Sequence, residues 1–205
     1  MPTIVLASAS PSRKKLLEAA GIHPQIEVSG VDEEAEIYSS MSPSEMVIAL
    51  AIVKAHTVRK KIKGSALIIA CDSTFEFEGR SLGKPGTSEL AIERAKLISG
   101  KSGVLHTGHC IIDTEKDAEI SSLASTKVNF SPMSDVEISD YVASGEPLEV
   151  AGGFTLDGLS SAFISSIEGD YTNVIGLSIP LLRTMTNKLG YSWPDLKLQG
   201  QGVVS

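Results

Sequence analysis

The sequence contains only two cysteines, Cys71 and Cys110, and no Cys-x-x-Cys pair. A disulfide framework is therefore excluded. Histidine is also scarce. His106 and His109 are three apart in a strand-like segment and would point to opposite faces, so they make no metal pair. His23 and His56 have no recognisable partner, and there is neither a zinc signature nor a Ser/His/Asp order. Long apolar runs are missing: the longest, Ala66 to Cys71, is far too short to span a bilayer. The basic residues Arg13 to Lys15 follow the first short apolar run instead of preceding it, unlike a signal peptide. A cytoplasmic protein with no membrane partner is the expectation. Positive charge is in deficit as well, with 18 Lys plus Arg against 25 Asp plus Glu and a net charge of −7. That argues against a nucleic acid partner, which needs a basic face. It leaves small anions open, because a few local bases can dominate a pocket.

The 205 residues are 42% hydrophobic and 21% charged, enough for a folded core and unlike a disordered chain. No Ser/Gly/Pro linker divides them, so one domain over residues 1–205 is expected, with two lobes and a loose tail over 193–205.

Thr3 to Ala7 reads as a buried strand, followed by a helix from Pro11 to about Ala20 and a second strand over Gln25 to Ser29. Ser42-Pro43-Ser44-Glu45 is a capping box, after which Met46, Ala49, Leu50, Val53 and Thr57 recur at helical spacing. Ala66 to Cys71 reads as a central strand, with a hairpin around Phe77 and Arg80. A helix over Ser88 to Ile98 precedes long strands at Val104 to Ile112 and Ser121 to Phe130. A second capping box at Ser134-Asp135-Val136-Glu137 opens a helix that ends at Gly145. Ala151 to Phe163 reads as strand plus tight turn, and Gly176 to Lys188 as the last helix. Interleaved helices and strands predict an α/β fold with a mixed sheet, in one domain of two lobes.

Several segments could carry chemistry. Arg13, Lys14 and Lys15 open a helix, where cations oppose the macrodipole by roughly 0.3–1 kcal/mol each. Either an anion binds there with help from Ser8 and Ser10, or the turn is simply a solvated basic one capped by Ser10. Asp72 stands at the carboxyl end of a buried strand, where open α/β sheets place ligands, although an Asp that merely starts a turn is common. Lys84, held between Gly83 and Pro85, could aim an ammonium at a phosphate or lie on a surface turn; the glycine spacing of a P-loop is absent. Lys54, at the edge of an apolar stripe, either snorkels to water or reaches a cleft. Asp32-Glu33-Glu34 is either a solvated acidic loop or a source of oxygen ligands for Mg²⁺.

Taken together these segments form an ordered pattern. Leu6-Ala7-Ser8-Ala9-Ser10-Pro11 with Arg13, Val31-Asp32-Glu33, Lys54-Ala55, Cys71-Asp72-Ser73, Gly83-Lys84-Pro85, His106-Thr107-Gly108, Gly145-Glu146-Pro147 and Glu168-Gly169-Asp170 follow one another across residues 3–190. The sequence closely resembles the Maf family, named for septum formation and understood as nucleoside triphosphate pyrophosphatases. The resemblance implies an elongated α/β fold whose mixed central sheet is flanked by helices, with a deep cleft between the lobes, a homodimer, and an activity that turns a nucleoside triphosphate and water into the monophosphate and pyrophosphate with Mg²⁺ or Mn²⁺. It assigns Asp72 as proton acceptor, Ser8, Arg13, Lys54 and Lys84 to the substrate, and Glu33 with Asp72 to the metal. The three bases are expected to be solvated and to matter little for stability. A non-catalytic nucleotide-binding regulator of septum formation is the alternative.

The resemblance places base selection at Ser12, Ser73 and Asp157, where this chain departs from the commoner Arg, Thr and Gln. Small hydroxyls leave room, and an ionised Asp157 only accepts hydrogen bonds. The expected preference is therefore for 7-methyl-GTP or CTP over dTTP.

Overall fold

Strand β1 (Thr3–Leu6) pairs in parallel with β2 (Gln25–Ile26) on one side and with β3 (Ala66–Phe77) on the other. From β3 outward every pairing is antiparallel: β3 with β4 (Arg80–Leu82) and β5 (Ser102–Asp113), β5 with β6 (Ala118–Phe130), and β6 with β7 (Ile164–Glu168). The result is one mixed seven-stranded sheet of order β2-β1-β3-β5-β6-β7, with β4 on β3. The computed structural model describes residues 2–33 and 35–197.

The alternation of β3 explains how the sheet divides. On one face, Leu67, Ile69 and Cys71 join Leu17, Leu182, Met185 and Leu196 in one apolar cluster. Phe75 and Phe77 on the same face belong to a second cluster with Ile98, Leu105, Phe130 and Phe154. Between them stands Ser73, the polar position that separates two lobes along a single strand. Phe75, Phe130 and Phe154 meet edge to face at 5.0–5.9 Å in the far lobe. Edge-to-face packing of this kind suits the quadrupoles of the rings. The opposite face of β3 presents Ala66, Ile68 and Ala70 to Ala51, Ala55 and Val58 of α2 (Pro43–Arg59).

The remaining helices are α1 (Pro11–Ala19), α3 (Ser88–Ile98), α4 (Asp135–Ala143), α5 (Tyr171–Ile175), α6 (Ile179–Lys188) and α7 (Trp193–Lys197). Both expected capping boxes, on α2 and α4, are formed.

Several sequence expectations need correction. The central strand does not stop at Cys71; β3 runs to Phe77 because β5 continues to pair with it from Leu67 to Glu76. The segment from 151 to 163 contains two short 3-10 turns, Ala151–Gly153 and Leu159–Phe163, and strand β7 begins only at Ile164. Gly176 does not open the last helix. It ends α5 with φ of 119°, a left-handed geometry suited to glycine, and α6 starts at Ile179 after a cap from Ser178. The second strand is two residues long, Gln25–Ile26. Trp193–Lys197 is helical, with Leu196 buried in the first cluster, so that part of the tail is tied down. Glu34 and residues 198–205, part of the expected acidic loop and tail, lie outside the described residues.

Candidate active site

Pairing between β1 and β3 ends at Leu6 opposite Ile69. Beyond that point β3 loses a neighbour on one side, and a cleft of about 560 Å³ opens there. This volume lies within the usual range for a small-molecule site. It is lined by the β1–α1 loop with Arg13, by Val28–Val31 and Glu33, by Lys54, Asp72, Ser73 and Lys84, by residues 149–151 and 154–157, and by Val174–Gly176. Asp72 therefore faces the cleft from the middle of β3, with the end of β1 pairing, not the end of its own strand, creating the opening.

Asp72 and Ser73 point to opposite faces of the sheet, as adjacent strand residues must. Asp72 points towards α2. The helix lies close there because Gly108, paired with Asp72, has no side chain: a Cβ on Gly108 would lie 2.1 Å from the Val47 carbonyl oxygen. Lys54 lies seven residues beyond Val47, on the same helical face. The buried face of α2 is Val47, Leu50, Ala51, Lys54, Ala55 and Val58, whereas Val53 is exposed. Lys54 thus sits in the middle of the buried stripe and not at the edge of the expected one. Its Nζ donates to Asp72 Oδ1 at 2.5 Å and meets Glu33 Oε1 at 2.5 Å. The side chains of Lys54 and Asp72 are 6% and 9% exposed, and that of Glu33 is 47% exposed.

This arrangement separates the two carboxylates chemically. Burial pushes the Asp72 carboxyl above its ordinary range; the Lys54 and Arg13 charges pull it back only in part, and Glu33 adds to the rise. For Glu33 burial acts upward too, but the hydrogen bond and charge of Lys54, with Lys84 and Arg13, outweigh it and leave the carboxyl below its ordinary value.

On the other face Arg13 is a clamp. Its Nε donates to Gly176 O at 2.8 Å, Nη1 to Cys71 O at 2.8 Å and Ser8 Oγ at 3.1 Å, and Nη2 to Ser73 Oγ at 2.9 Å. One guanidinium joins the β1–α1 loop, β3 and the α5–α6 corner. The expectation of a solvated base with little structural weight fails for Arg13, and the burial of Lys54 overturns it there too. Lys84 is exposed at the rim of the cleft. The structure divides the residues of the basic helix start. Ser10 caps α1 and Lys14 pairs with Glu18 in solvent, while Arg13 turns inward.

The base-selecting candidates are split by the structure. Ser12 and exposed Asp157 line the cleft. Ser73 also lines it, but its hydroxyl is engaged by Arg13 and by Thr107 Oγ1 at 2.9 Å. Sequence reasoning missed Glu146. Its carboxylate accepts from the Leu159 N–H at 2.9 and 3.1 Å and from the Thr155 hydroxyl, which holds the segment carrying Asp157. Gly145-Glu146-Pro147 was visible as a motif, but its partners lie 9 and 13 residues away and no spacing rule finds them. Among the described residues no group of three or more His, Cys, Asp or Glu converges as a metal centre.

A family model described as "Maf-like protein" matches residues 3–189. The chain is 51% identical over 194 residues to a nucleoside triphosphate pyrophosphatase of Streptomyces coelicolor, covering 94% of this chain and 93% of that one. It is 48% identical to a protein of the same name in Salinispora tropica, over 91% of this chain and 83% of that one. For the Prochlorococcus marinus counterpart the identity is 45%, over 92% and 98% of the two chains. A solved nucleoside-triphosphatase / dITP/XTP pyrophosphatase from Mycobacterium abscessus aligns at a TM-score of 0.36 and 12% identity, over 64% of this chain and 75% of that one, too distant to carry an argument.

Proposed function

The chain belongs to the Maf family, and from that premise we propose that it is a nucleoside triphosphate pyrophosphatase. Water attacks the α-phosphorus, the bond to the β-phosphate oxygen breaks, and the monophosphate and pyrophosphate leave. The observation that supports this most directly is the buried Asp72 carboxylate facing the cleft and held by Lys54. A carboxylate whose proton affinity is raised by burial is a better general base than an exposed one. It can orient the water and take its proton.

Arg13, Lys54 and Lys84 come from three separate segments to the same cleft. Each has a different task in this proposal. Lys84, exposed at the rim, meets the departing pyrophosphate. Lys54 balances charge beside the α-phosphate. Arg13 holds the loop on which Ser8 stands, and the positive potential of its guanidinium extends to the phosphates in the cleft.

The donor set also fits a divalent cation. Glu33 and Asp72 each approach the same Nζ at 2.5 Å, so two carboxylate oxygens already converge on one positively charged point. Mg²⁺ or Mn²⁺ held by these two side chains would lower the pKa of water and screen the phosphates. The homodimeric state remains part of the proposal on the strength of the family resemblance, and a cytoplasmic location is proposed with it.

Release of pyrophosphate from a panel of nucleoside triphosphates, with and without Mg²⁺ or Mn²⁺, tests the assignment. The expected result is metal-dependent release with the monophosphate as the second product. Binding without cleavage of any triphosphate would refute it and favour a regulator. Within the panel, Asp157 at the cleft favours bases rich in donors, so 7-methyl-GTP or CTP should exceed dTTP in kcat/KM.

A further inference from the structure

Lys54 does more in this geometry than face a phosphate. Its ammonium sits between the two carboxylates that the proposed reaction needs for a divalent ion, at 2.5 Å from each. Its stem is buried in α2, and α2 is pressed onto the sheet where Gly108 leaves no room for a side chain. The ammonium is thus built into this position and is not a surface group that happens to fold over it. A divalent ion and an ammonium compete for two carboxylates a few ångströms apart, because like charges repel strongly at that range when partly desolvated.

We propose that Lys54 is an internal counter-cation that occupies the Glu33–Asp72 position in the free protein and gives it up to a divalent ion only when a triphosphate offers the ammonium new acceptors. Metal and nucleotide then bind as a unit. The free protein neither holds a metal that could hydrolyse other phosphates nor leaves two carboxylates unpaired. An ammonium has three donors, and the carboxylates use two. An arriving phosphate can take the third, and further phosphate oxygens can draw the group away. Since coupling is reciprocal, the nucleotide must raise metal affinity by the same factor as the metal raises nucleotide affinity.

This inference rests on the pyrophosphatase reading, but its test needs no turnover. Mn²⁺ alone is titrated into wild type, Lys54→Met and Lys54→Gln, with free Mn²⁺ followed by its paramagnetic resonance signal. Circular dichroism establishes that each variant is folded, and the glutamine variant, polar and similar in length, covers failure of the methionine one. We expect weak binding to wild type and binding to a Lys54 variant that is tighter by roughly tenfold or more, a typical coupling between sites. Adding Glu33→Gln to the variant should abolish the gain. With a triphosphate bearing a methylene bridge between its α- and β-phosphorus atoms, the enhancement of Mn²⁺ affinity should be larger in wild type than in the variant. Two results would overturn the proposal: Mn²⁺ affinity no greater in both variants than in wild type, or a gain that survives Glu33→Gln. Failure of the pyrophosphatase reading would show up separately, as an absence of cleavage across the nucleotide panel.

Discussion

Acid should weaken this protein through one buried histidine beside the site. His109 is fully buried on β5. Its Nδ1–H donates to Thr107 O at 3.0 Å, and its Nε2 accepts from the Ser178 N–H at 2.9 Å. Those two bonds define one neutral tautomer, because a proton on Nε2 would confront a backbone N–H. Burial, the largest influence, pushes the imidazole from 6.5 down to about 4; the Thr107 carbonyl and Asp170 oppose this and Arg13 adds to it. Between those values the unfolded chain holds a proton that the native state refuses. Stability therefore rises with pH across this window and is lost as pH falls from 6.5 towards 4. A difference of about 2.5 pH units corresponds to about 3 kcal/mol in all, of which about 2 kcal/mol falls between pH 7.5 and 5. The consequence reaches the site, since Ser178 follows the Gly176 corner that accepts from Arg13. Urea unfolding of wild type and His109→Gln at pH 5, 6 and 7.5 isolates the contribution, because the carboxylates titrate alike in both. The variant should be less stable at pH 7.5, by about 1–3 kcal/mol if the Ser178 N–H is left unpaired, and should lose less on acidification. If the stability difference between the two proteins stayed constant across this pH range, His109 would not be the group responsible.

Asp72→Asn removes the base at constant size, and turnover should fall by about 10²–10⁴-fold with an unchanged circular dichroism spectrum; near-native turnover would rule Asp72 out. Arg13→Ala should lower both activity and melting temperature, because the buried Cys71 and Gly176 carbonyls lose partners worth about 1–3 kcal/mol. Lys84→Ala, at the exposed rim, should reduce activity towards triphosphates and leave the melting temperature nearly unchanged. A common thermal response of the two variants would contradict the clamp. Glu146→Ala and Asp157→Gln should each narrow the ratio of kcat/KM between CTP and dTTP, the first by releasing the segment and the second by removing its charge; an unchanged ratio in both would mean that the segment has no view of the base.

The parts of this protein legible in its sequence are those decided by local chemistry. Ser42 with Glu45, and Ser134 with Glu137, announce their helices because a capping box satisfies its own donors within four residues. Alternation and apolar runs found the long strands but misplaced the end of β3. The polar pair Asp72-Ser73 looks like a turn, yet continuous pairing with β5 carries the strand through it. That is tertiary pairing overriding a local signal. The same limit applies to the bases. Lys54 and Arg13 read as solvated because isolated cations usually are, and nothing within seven residues of Lys54 reveals that Gly108, 54 positions later, lets its helix descend onto Asp72. The resemblance located these side chains in one cleft without saying how they are held. The structure supplies that difference. Lys54 bridges two carboxylates, Arg13 ties three segments, and Lys84 stays exposed at the rim. Cations that look equivalent as letters are thus committed to different degrees, and the same commitment predicts which substitutions will cost stability and which will cost activity alone.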